Sequence, residues 1–293
     1  MRHLLKTFGV SERRACRVVG VARSSYRLRL TGRADDGRLS EAILALVRKH
    51  PRFGYRRIWA LLRADGWQVN RKRVYRAWRR LGLKVPRKPR KRRRVGSSEN
   101  ACHRRRAEGK DHVWCWDFVH DRTADGRALK WLSVVDEYTR ECLALEVGRG
   151  LNARRVTDVL ARLLAERGVP GHVRSDNGPE FIARAVRRWL SGRAVEVLYI
   201  APGSPWENGY AESFHGKVRD ELLAVEEFGS LREAAAVGAG WRRAYNHERP
   251  HSSLGYKTPA VFGASCPRFD SASLRRTGDT KVSVDPTLTT TGP

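Results

Sequence analysis

The first third of the chain shows helical patterning in two blocks. In residues 10–30, Ser11 is placed to cap a short helix and Gly20 interrupts the apolar pattern. Residues 23–29 then predict a second short helix. Together these features indicate a small helix-turn-helix.

Residues 39–83 carry a stronger pattern. Three runs of apolar residues recur at helical spacing, and Pro51, Gly54 and Gly66 separate them. The runs hold, in order, Leu39, Ile43, Leu46 and Val47; Ile58, Leu61 and Leu62; and Val74, Trp78 and Leu81. They predict three helices, with Asn70 as the N-cap of the third.

From residue 113 the pattern changes to short apolar runs that are typical of strands. Turn signals at Asp125-Gly126 and Thr139-Arg140 separate the first three runs and predict an antiparallel meander. Strands are predicted at 113–119, 129–135, 142–147, 172–175 and 195–200, and helices at 152–167, at 181–190 and from near Glu207. This order predicts an α/β fold with a mixed sheet flanked by helices.

Charge divides the chain at nearly the same place. The 293 residues carry a net charge of +28, and residues 1–110 hold 34 Lys and Arg against 7 Asp and Glu. Residues 111–293 are almost balanced, with 25 basic and 24 acidic residues. A strongly basic first third argues against a typical metabolic enzyme. It favours a nucleic-acid partner, because basic modules release the counterions that DNA condenses. A solvated basic surface is the alternative.

The third predicted helix of this basic part is the best candidate for DNA contact. It is apolar on one face and arginine-rich on the other, which suits a helix that lies against phosphates or in a major groove. The candidate contacts are Arg71, Arg73, Arg76 and Arg80. The alternative is a helix whose arginines are simply solvated. Residues 86–94, PRKPRKRRR, predict a basic linker that follows the DNA or serves only as a solubilising tether.

Several other classes of protein are disfavoured. The chain has no run of 18 apolar residues, so no membrane span is expected, and its first residues do not resemble a secretory signal. Its five cysteines include no C-x-x-C pair, so neither a disulfide framework nor a structural zinc site is favoured. We therefore expect a cytoplasmic protein.

Three carboxylates stand out in the second part. Asp117 interrupts an apolar strand, Asp176 follows the fourth strand, and Glu212 lies on the last helix, with 35 residues between it and Asp176. A carboxylate in an apolar strand is costly to bury without a cation or donors, and the carboxyl ends of strands are where α/β sheets collect ligand-binding groups. Carboxylates are preferred Mg²⁺ ligands, and two Mg²⁺ about 4 Å apart can clamp both oxygens in phosphoryl transfer.

Each carboxylate also has a simpler interpretation. Asp117 could cap a strand end, and Asp176 could be the turn residue of an Asp-Asn-Gly tripeptide. Glu212 could lie on a solvated helix face, and Glu180 or Glu207 could take its place.

Four motifs give the chain a family resemblance. They are Trp114-Cys115-Trp116-Asp117, S-D-N-G-P-E-F at 175–181, P-W-E-N-G-Y-A-E-S-F at 205–214 and Y-N-H-E-R-P-H-S-S-L-G-Y-K-T-P at 245–259. With the 35-residue spacing, the chain from about residue 10 to residue 265 resembles the DDE transposases of bacterial insertion sequences, which share the retroviral-integrase core.

The resemblance implies a ribonuclease H-like fold in which Asp117, Asp176 and Glu212 form a catalytic, metal-binding triad. It implies two Mg²⁺ ions as cofactors, with Mn²⁺ as a substitute. It implies double-stranded DNA as the partner, as both element ends and target, and a homo-oligomer assembled on that DNA.

The resemblance also points to a phosphate contact. Arg219, seven residues after Glu212, falls where the family has Lys or Arg. Seven residues are about two helical turns, so Arg219 is expected on the same face as Glu212, where it could meet a DNA phosphate. Lys217 is the competitor for this role. Residues 245–251 are expected after a helix. The resemblance implies a role in folding or in DNA contact for them, and a stabilising C-terminal turn is the favoured interpretation.

The chain departs from some relatives. It contains no zinc-binding His/Cys module before the core and no leucine-zipper heptads. It therefore resembles the second-frame products of insertion sequences, for which an upstream-frame protein is a possible partner. A bacterial cytoplasmic protein associated with the nucleoid is expected.

We therefore expect a DNA transposase that cleaves element ends and transfers the strand. Its expected parts are a basic helix-turn-helix region at 1–85, a basic linker at 86–104, an integrase-like catalytic core at 105–266 and a disordered tail at 267–293. The alternatives are a ribonuclease H-like nuclease without strand transfer and a DNA-binding regulator with a vestigial core.

Overall fold

The computed structural model describes residues 2–27, 34–85, 106–175, 184–193, 195–199 and 209–269. Six helices lie in the described part of residues 2–85. They are α1 (Arg2–Phe8), α2 (Glu12–Val19), α3 (Arg23–Arg27), α4 (Asp36–Lys49), α5 (Tyr55–Ala64) and α6 (Arg71–Arg80). The sequence predicts all of these helices except α1.

Local caps explain where these helices begin and end. Ser11 caps α2 by accepting a hydrogen bond from Arg14 N at 3.4 Å, and Gly20 ends it in the left-handed conformation at φ 68°. Asn70 caps α6 in the same way, through a bond of 2.8 Å from Arg73 N. These are the caps and the break that the sequence predicts.

Helices α4, α5 and α6 pack around a small core of their own. Its buried members are Leu39, Ile43, Phe53, Ile58, Leu62, Val69, Val74, Ala77 and Trp78. Most of them are the residues that recur at helical spacing, so the predicted three-helix region is confirmed. We call residues 34–85 the helical module.

We call the described residues between 106 and 269, which hold the predicted catalytic core, the catalytic part. A five-stranded sheet lies at its centre. Its strands are β1 (Val113–Arg122), β2 (Ala128–Asp136), β3 (Cys142–Gly148), β4 (His172–Ser175) and β5 (Glu196–Tyr199), in the order β3-β2-β1-β4-β5. Strands β1 to β3 form the predicted antiparallel meander, and β4 and β5 continue the sheet parallel to β1. The predicted mixed α/β sheet is confirmed, and its strand order is that of a ribonuclease H-like fold.

Helices cover both faces of this sheet. One face packs under α7 (Ala153–Arg167) and α8 (Arg184–Ser191), and the other under α9 (Gly209–Val218) and α10 (Leu231–His247). Side chains alternate along a strand, so Trp114 of β1 enters the first core while Cys115 enters the second. Since both faces of β1 are covered, its sequence is apolar at nearly every position up to Asp117.

The chain leaves α9 through a π-helical turn, Arg219–Leu223, in which Ala224 N donates to Arg219 O at 2.9 Å. We call this segment the π turn. It leads to α10, and a short helix α11 (Pro259–Ala264) follows. The sequence predicts neither the π turn nor α11.

The expectation that residues 245–251 all follow a helix is wrong for their first three members, because α10 continues to His247. Asn246, in its last turn, explains why the helix extends so far. Cys142 N donates to Asn246 Oδ1 at 2.8 Å, and Asn246 Nδ2 donates to Cys142 O at 2.9 Å. The side-chain amide thereby pairs with the edge strand β3 and holds the end of α10 against it.

The helical module packs directly on the catalytic part. Arg52 pairs with Asp220, and Arg57 Nη1 donates to Glu221 Oε1 at 2.9 Å, so that both contacts reach the π turn. Trp59 also meets Tyr256 edge-on, with ring centroids 5.7 Å apart. We call this contact region the junction. It is not predicted from the sequence.

Two predicted segments lie largely outside the described residues, namely the linker at 86–104 and most of the tail at 267–293. The first residues of that tail are described and contact the core. Arg268 forms a backbone bridge with Lys110, and Phe269 stacks on His112 with ring centroids 3.7 Å apart. Across the described parts of the chain, no helix is long and apolar enough to cross a membrane.

Candidate active site and phosphate-contacting surfaces

Asp117 lies in β1, just beyond the point where β4 stops pairing with it. The β1–β4 register ends at Cys115 opposite Arg174. The Asp117 side chain is 20% exposed, on the face of the sheet that α9 covers. Its Oδ1 accepts a hydrogen bond from Phe118 N at 2.6 Å. The carboxylate is therefore fixed at the carboxyl edge of the parallel strands, where a ligand can approach it.

His215 of α9 holds the other side of this carboxylate. Its Nδ1 lies 3.4 Å from Asp117 Oδ2, and its Nε2 lies 2.8 Å from the hydroxyl of Ser133, the residue opposite Asp117 on β2. Burial, with the charge of Arg219 nearby, lowers the pKa of His215 to about 4. A neutral imidazole can donate from Nδ1 to the carboxylate, while the Ser133 hydroxyl donates to the backbone carbonyl of Asp117 at 3.1 Å.

Glu212 lies one turn before His215 on α9, and its side chain is exposed. Because residues three apart lie on neighbouring positions of a helix face, Glu212 projects at the same edge of the sheet as the His215–Asp117 contact. The structure thus brings two of the three predicted carboxylates to one edge. Sequence reasoning did not single out His215, although a lone histidine on the apolar side of a helix is a signal of a specific polar contact.

Asp176 directly follows Ser175, the last residue of β4, but lies outside the described residues. The alternatives Glu180 and Glu207 also lie outside them. In the described ranges, no group of three or more His, Cys, Asp or Glu side chains is arranged to hold a metal ion. Oxygen ligands of carboxylates are those that Mg²⁺ prefers, so Asp117 and Glu212 fit part of such a site.

Arg219 and Lys217 leave α9 in different directions. Arg219, at the start of the π turn, is exposed and lies two turns after Glu212, and its charge reaches His215. Lys217 lies on the other flank of the helix. Its Nζ donates to the carbonyl of Ser213 at 2.8 Å and to the hydroxyl of that residue at 2.9 Å. Of the two predicted phosphate contacts, only Arg219 shares the flank of Glu212.

The four predicted DNA contacts on α6 also differ. Arg71 and Arg76 are exposed. Arg73 is only 13% exposed, and it donates to Asp35 at 2.5 and 3.0 Å and to Asp36 at 2.8 Å. Arg80 is exposed and lies 3.4 Å from Asp36. Arg73 therefore joins α6 to the start of α4, while the other three arginines present their charge to solvent.

The segment after α10 contributes to the junction. Arg249 donates to Glu221 through Nε at 2.6 Å and through Nη2 at 2.7 Å, and both side chains are almost fully buried. Glu221 also accepts from Arg57 of the helical module. The sequence predicts either a stabilising turn or a DNA contact for residues 245–251. In the structure, Arg249 links that segment to the π turn and, through Glu221, to the helical module.

Three regions of the chain match known families. Residues 107–205 and residues 193–259 each match a family described as Integrase core domain, and residues 34–92 match a family described as HTH-like domain. The matched regions cover the helical module, the sheet and α9.

Relatives that match 88–90% of the chain come from bacterial insertion elements. An uncharacterized 39.2 kDa protein of element IS476 from Xanthomonas euvesicatoria is 40% identical over 90% of this chain and 76% of its own length. A 31.7 kDa protein of element IS407 from Burkholderia multivorans is 39% identical over 90% of this chain and 94% of its own length. Transposase InsD of element IS2 from Escherichia coli is 32% identical over 88% of this chain and 92% of its own length.

The chain is similar to a solved structure of a simian T-cell lymphotropic virus intasome in complex with a PP2A regulatory subunit. The TM-score is 0.49, and the two are 19% identical over 57% of this chain and 59% of that chain. The HTLV-2 integrase catalytic core domain in complex with magnesium has a TM-score of 0.44 and 15% identity over 54% of this chain and 99% of its own.

Proposed function

Because the chain belongs to the insertion-element transposases that carry an integrase core domain, we propose that it cleaves the DNA ends of its element and joins them to a target by polynucleotidyl transfer. The catalytic residues in this proposal are Asp117, Asp176 and Glu212. The position of Asp117 supports this proposal most strongly. β1 and His215 hold its carboxylate at the carboxyl edge of the parallel strands, and α9 presents Glu212 on the same side.

The described residues support a division of tasks at this site. Phe118 N donates to one oxygen of Asp117, and His215 Nδ1 contacts the other. These two contacts fix the direction of the carboxylate while part of it remains exposed. Glu212 supplies a second carboxylate from a separate element, and Asp176 would add a third beyond β4. Two Mg²⁺ ions, or Mn²⁺ in their place, would activate the attacking oxygen and neutralise charge on the phosphate when bound.

The same proposal gives the basic surfaces the task of holding DNA. Exposed Arg219 would hold a phosphate beside the one that is cut. The helical module would bind double-stranded DNA at the element ends through α6, with exposed Arg71, Arg76 and Arg80 among its contacts. The protein would act as a homo-oligomer on end and target DNA near the bacterial nucleoid, with an upstream-frame protein as a further partner.

Conservative variants of the three carboxylates test the proposal. Asp117→Asn, Asp176→Asn and Glu212→Gln each remove a charge and nearly keep the shape of the side chain. In assays of full-length protein with an element-end duplex and Mg²⁺ or Mn²⁺, each should abolish cleavage and strand transfer. DNA binding should stay within about threefold of wild type, because phosphate contacts elsewhere dominate affinity.

The control variant is Glu227→Gln, an exposed carboxylate beyond the π turn, which should leave all three activities unchanged. Activity in Glu212→Gln together with inactivity in Glu207→Gln would show that the third carboxylate is misassigned. Cleavage without joined products would instead identify a nuclease. End binding without any metal-dependent chemistry would identify a DNA-binding regulator.

A further inference from the structure

The outer surface of α6 carries one side chain without a charge. Every residue of this helix is described, and those exposed to solvent are Arg71, Lys72, Tyr75, Arg76, Arg79 and Arg80. Tyr75 lies near the middle of the helix and is 41% exposed. The guanidinium and ammonium groups bind phosphates of any sequence, whereas the surface of an aromatic ring gains nothing from a phosphate. The exposed ring of Tyr75 is therefore suited to the edge of a base.

Neighbouring side chains hold the Tyr75 ring in place. Its centroid lies 4.8 Å from that of Tyr55, the first residue of α5, and the two ring planes meet at 52°. Arg79 Nη1 donates to the Tyr75 hydroxyl at 3.4 Å, and Arg56 Nε donates to the Tyr55 hydroxyl at 3.3 Å. A side chain that is ordered before a ligand arrives loses less conformational entropy on binding. Tyr75 thus presents a preorganised contact among long, rotatable cations.

The hydroxyl of Tyr75 can donate to a ligand. Its oxygen accepts from Arg79, and a phenol that accepts still has its own proton to donate. In the major groove, thymine presents the acceptor O4 beside its C5-methyl group. Cytosine presents a donor and no methyl group, and the two purines have no methyl group either. An apolar ring with a donor hydroxyl therefore matches thymine at both of its exposed groups.

The charge on both sides of the ring favours DNA as the partner. Arg71 and Arg79 lie four residues before and after Tyr75, so the three side chains form one row along α6. The major groove has phosphates along its walls and base edges on its floor, and it admits an α-helix. A row of cation, ring and cation fits this arrangement. A protein surface that covered the ring would instead have to supply a carboxylate for each arginine.

We propose that Tyr75 is a specificity-determining residue that reads one thymine of the element end in the major groove. Its ring contacts the C5-methyl group and its hydroxyl donates to O4. Tyr55 and Arg79 are positioning residues that hold the ring. The proposal deepens the transposase function above and rests on it for the task of α6. It goes beyond the phosphate contacts because it names the kind of base at which the end sequence is read.

Substitution of uracil for thymine tests the methyl contact, because uracil pairs with adenine but lacks the methyl group. The thymines of an element-end duplex are replaced one at a time, and binding to the full-length protein is measured. At one position the affinity should fall about fourfold, the effect of removing one methyl group from an apolar contact. Tyr75→Ala should bind the thymine and uracil duplexes equally at that position, and Tyr75→Phe should keep the difference.

The hydroxyl is tested with 5-methylcytosine paired with guanine at the same position. This base keeps the methyl group but presents an amino donor in place of the O4 acceptor. Wild-type protein should discriminate against it, and Tyr75→Phe should lose about fivefold of that discrimination, the effect of one hydrogen bond.

Arg71→Gln provides the contrast within the same row. It removes a cation, so it should weaken binding to all duplexes alike and reduce the slope of log K against log salt by about 0.9. The difference between thymine and uracil should remain in this variant. Tyr75→Ala removes no charge and should leave the salt slope unchanged.

Several results would overturn the proposal. They are the absence of any thymine at which uracil weakens binding to wild-type protein, a uracil effect that persists in Tyr75→Ala, and a reduced salt slope in Tyr75→Ala. The first uses the unsubstituted protein, so it decides the matter even if Tyr75→Ala does not fold. Equal weakening of Tyr75→Ala on every duplex would assign the hydroxyl to a phosphate, and unchanged binding would assign the ring to a protein partner; both contradict base reading. Failure of wild-type protein to cleave the end would count against the transposase function alone, since these measurements do not depend on catalysis.

Discussion

Glu221 joins the π turn to the helical module, and replacing it with Gln tests how strongly the junction is held. Its carboxylate accepts from Arg249 at 2.6 and 2.7 Å and from Arg57 at 2.9 Å. The side chains of Glu221 and Arg249 are only 6% and 4% exposed. Glu221→Gln keeps the shape of the side chain but leaves a buried guanidinium without its counter-ion.

Removing one partner of a buried ion pair destabilises a protein by about 3–5 kcal/mol. Gln retains one acceptor oxygen, and Arg57 is 30% exposed, so water can replace part of that contact. We therefore expect Glu221→Gln to lower the free energy of unfolding by about 3 kcal/mol, the lower end of this range. The matched control is Glu248→Gln, which breaks a pair of 2.8 Å with Lys49 across the same junction. Both of its side chains are about half exposed or more, so its loss should stay below about 1 kcal/mol.

Urea unfolding of the full chain measures both losses, and pH separates the charge from the shape of Glu221. Burial alone would raise the pKa of Glu221, but the hydrogen bonds from Arg249 hold it below its usual value of 4.5. A carboxyl group with a lowered pKa in the folded state stabilises the protein above its unfolded pKa and loses that contribution as the pH falls through the folded pKa. The difference between wild type and Glu221→Gln should therefore be full at pH 7 and should shrink below pH 4.5.

Two results would refute this reasoning. Equal losses for Glu221→Gln and Glu248→Gln would mean that burial does not strengthen the inner pair. A difference from wild type that stays constant between pH 7 and pH 4 would mean that the lost energy comes from packing, for example around buried Phe53, and not from the charge.

Three further predictions concern DNA and the edge of the sheet that holds Asp117. Arg219→Ala should slow end cleavage about thirtyfold, which is the loss expected when one charged phosphate contact is removed, and should leave the unfolding curve unchanged. Arg219→Lys should recover part of the cleavage rate. Near-normal cleavage in Arg219→Ala, with strong impairment in Lys217→Ala, would assign the phosphate contact to Lys217 instead. His215→Ala should lower the cleavage rate and leave the affinity for DNA unchanged. His215→Asn should restore part of the cleavage rate, because a side-chain amide can also donate to the Asp117 carboxylate. Loss of folding in both variants would contradict a positioning role for His215. Fragment 1–110 should bind duplex DNA more tightly than fragment 111–293, with affinity that falls steeply in salt, and equal affinities of the two fragments would contradict the charge argument.

The sequence predicts the local features of this fold well, because these depend on neighbouring residues. The cap at Asn70 and the alternation of side chains along β1 follow from spacing alone. The antiparallel meander of β1 to β3 and the mixed character of the sheet also follow, whereas the spatial order of the strands comes from the structure. The placement of Asp117 at a sheet edge could be anticipated.

The parts that the sequence does not predict depend on contacts between distant residues. The pairing of Arg73 with Asp35 and Asp36 removes one of four similar arginines from the outer surface, and no pattern within α6 distinguishes it. The contact of His215 with Asp117 joins residues 98 positions apart. The end of α10 likewise depends on a strand edge more than 100 residues earlier, which Asn246 meets.

The π turn has a consequence for how this chain can change in evolution. A π turn holds one residue more than the regular helix that would replace it. Deletion of any one residue from the π turn would rotate everything beyond it by about 100° relative to α9 and shift it by about 1.5 Å. Asp220 and Glu221 could then no longer meet the helical module while Arg219 keeps its place on the flank of α9 that carries Glu212. The length of this segment is therefore constrained from both ends, by the helical module on one side and by α9 on the other.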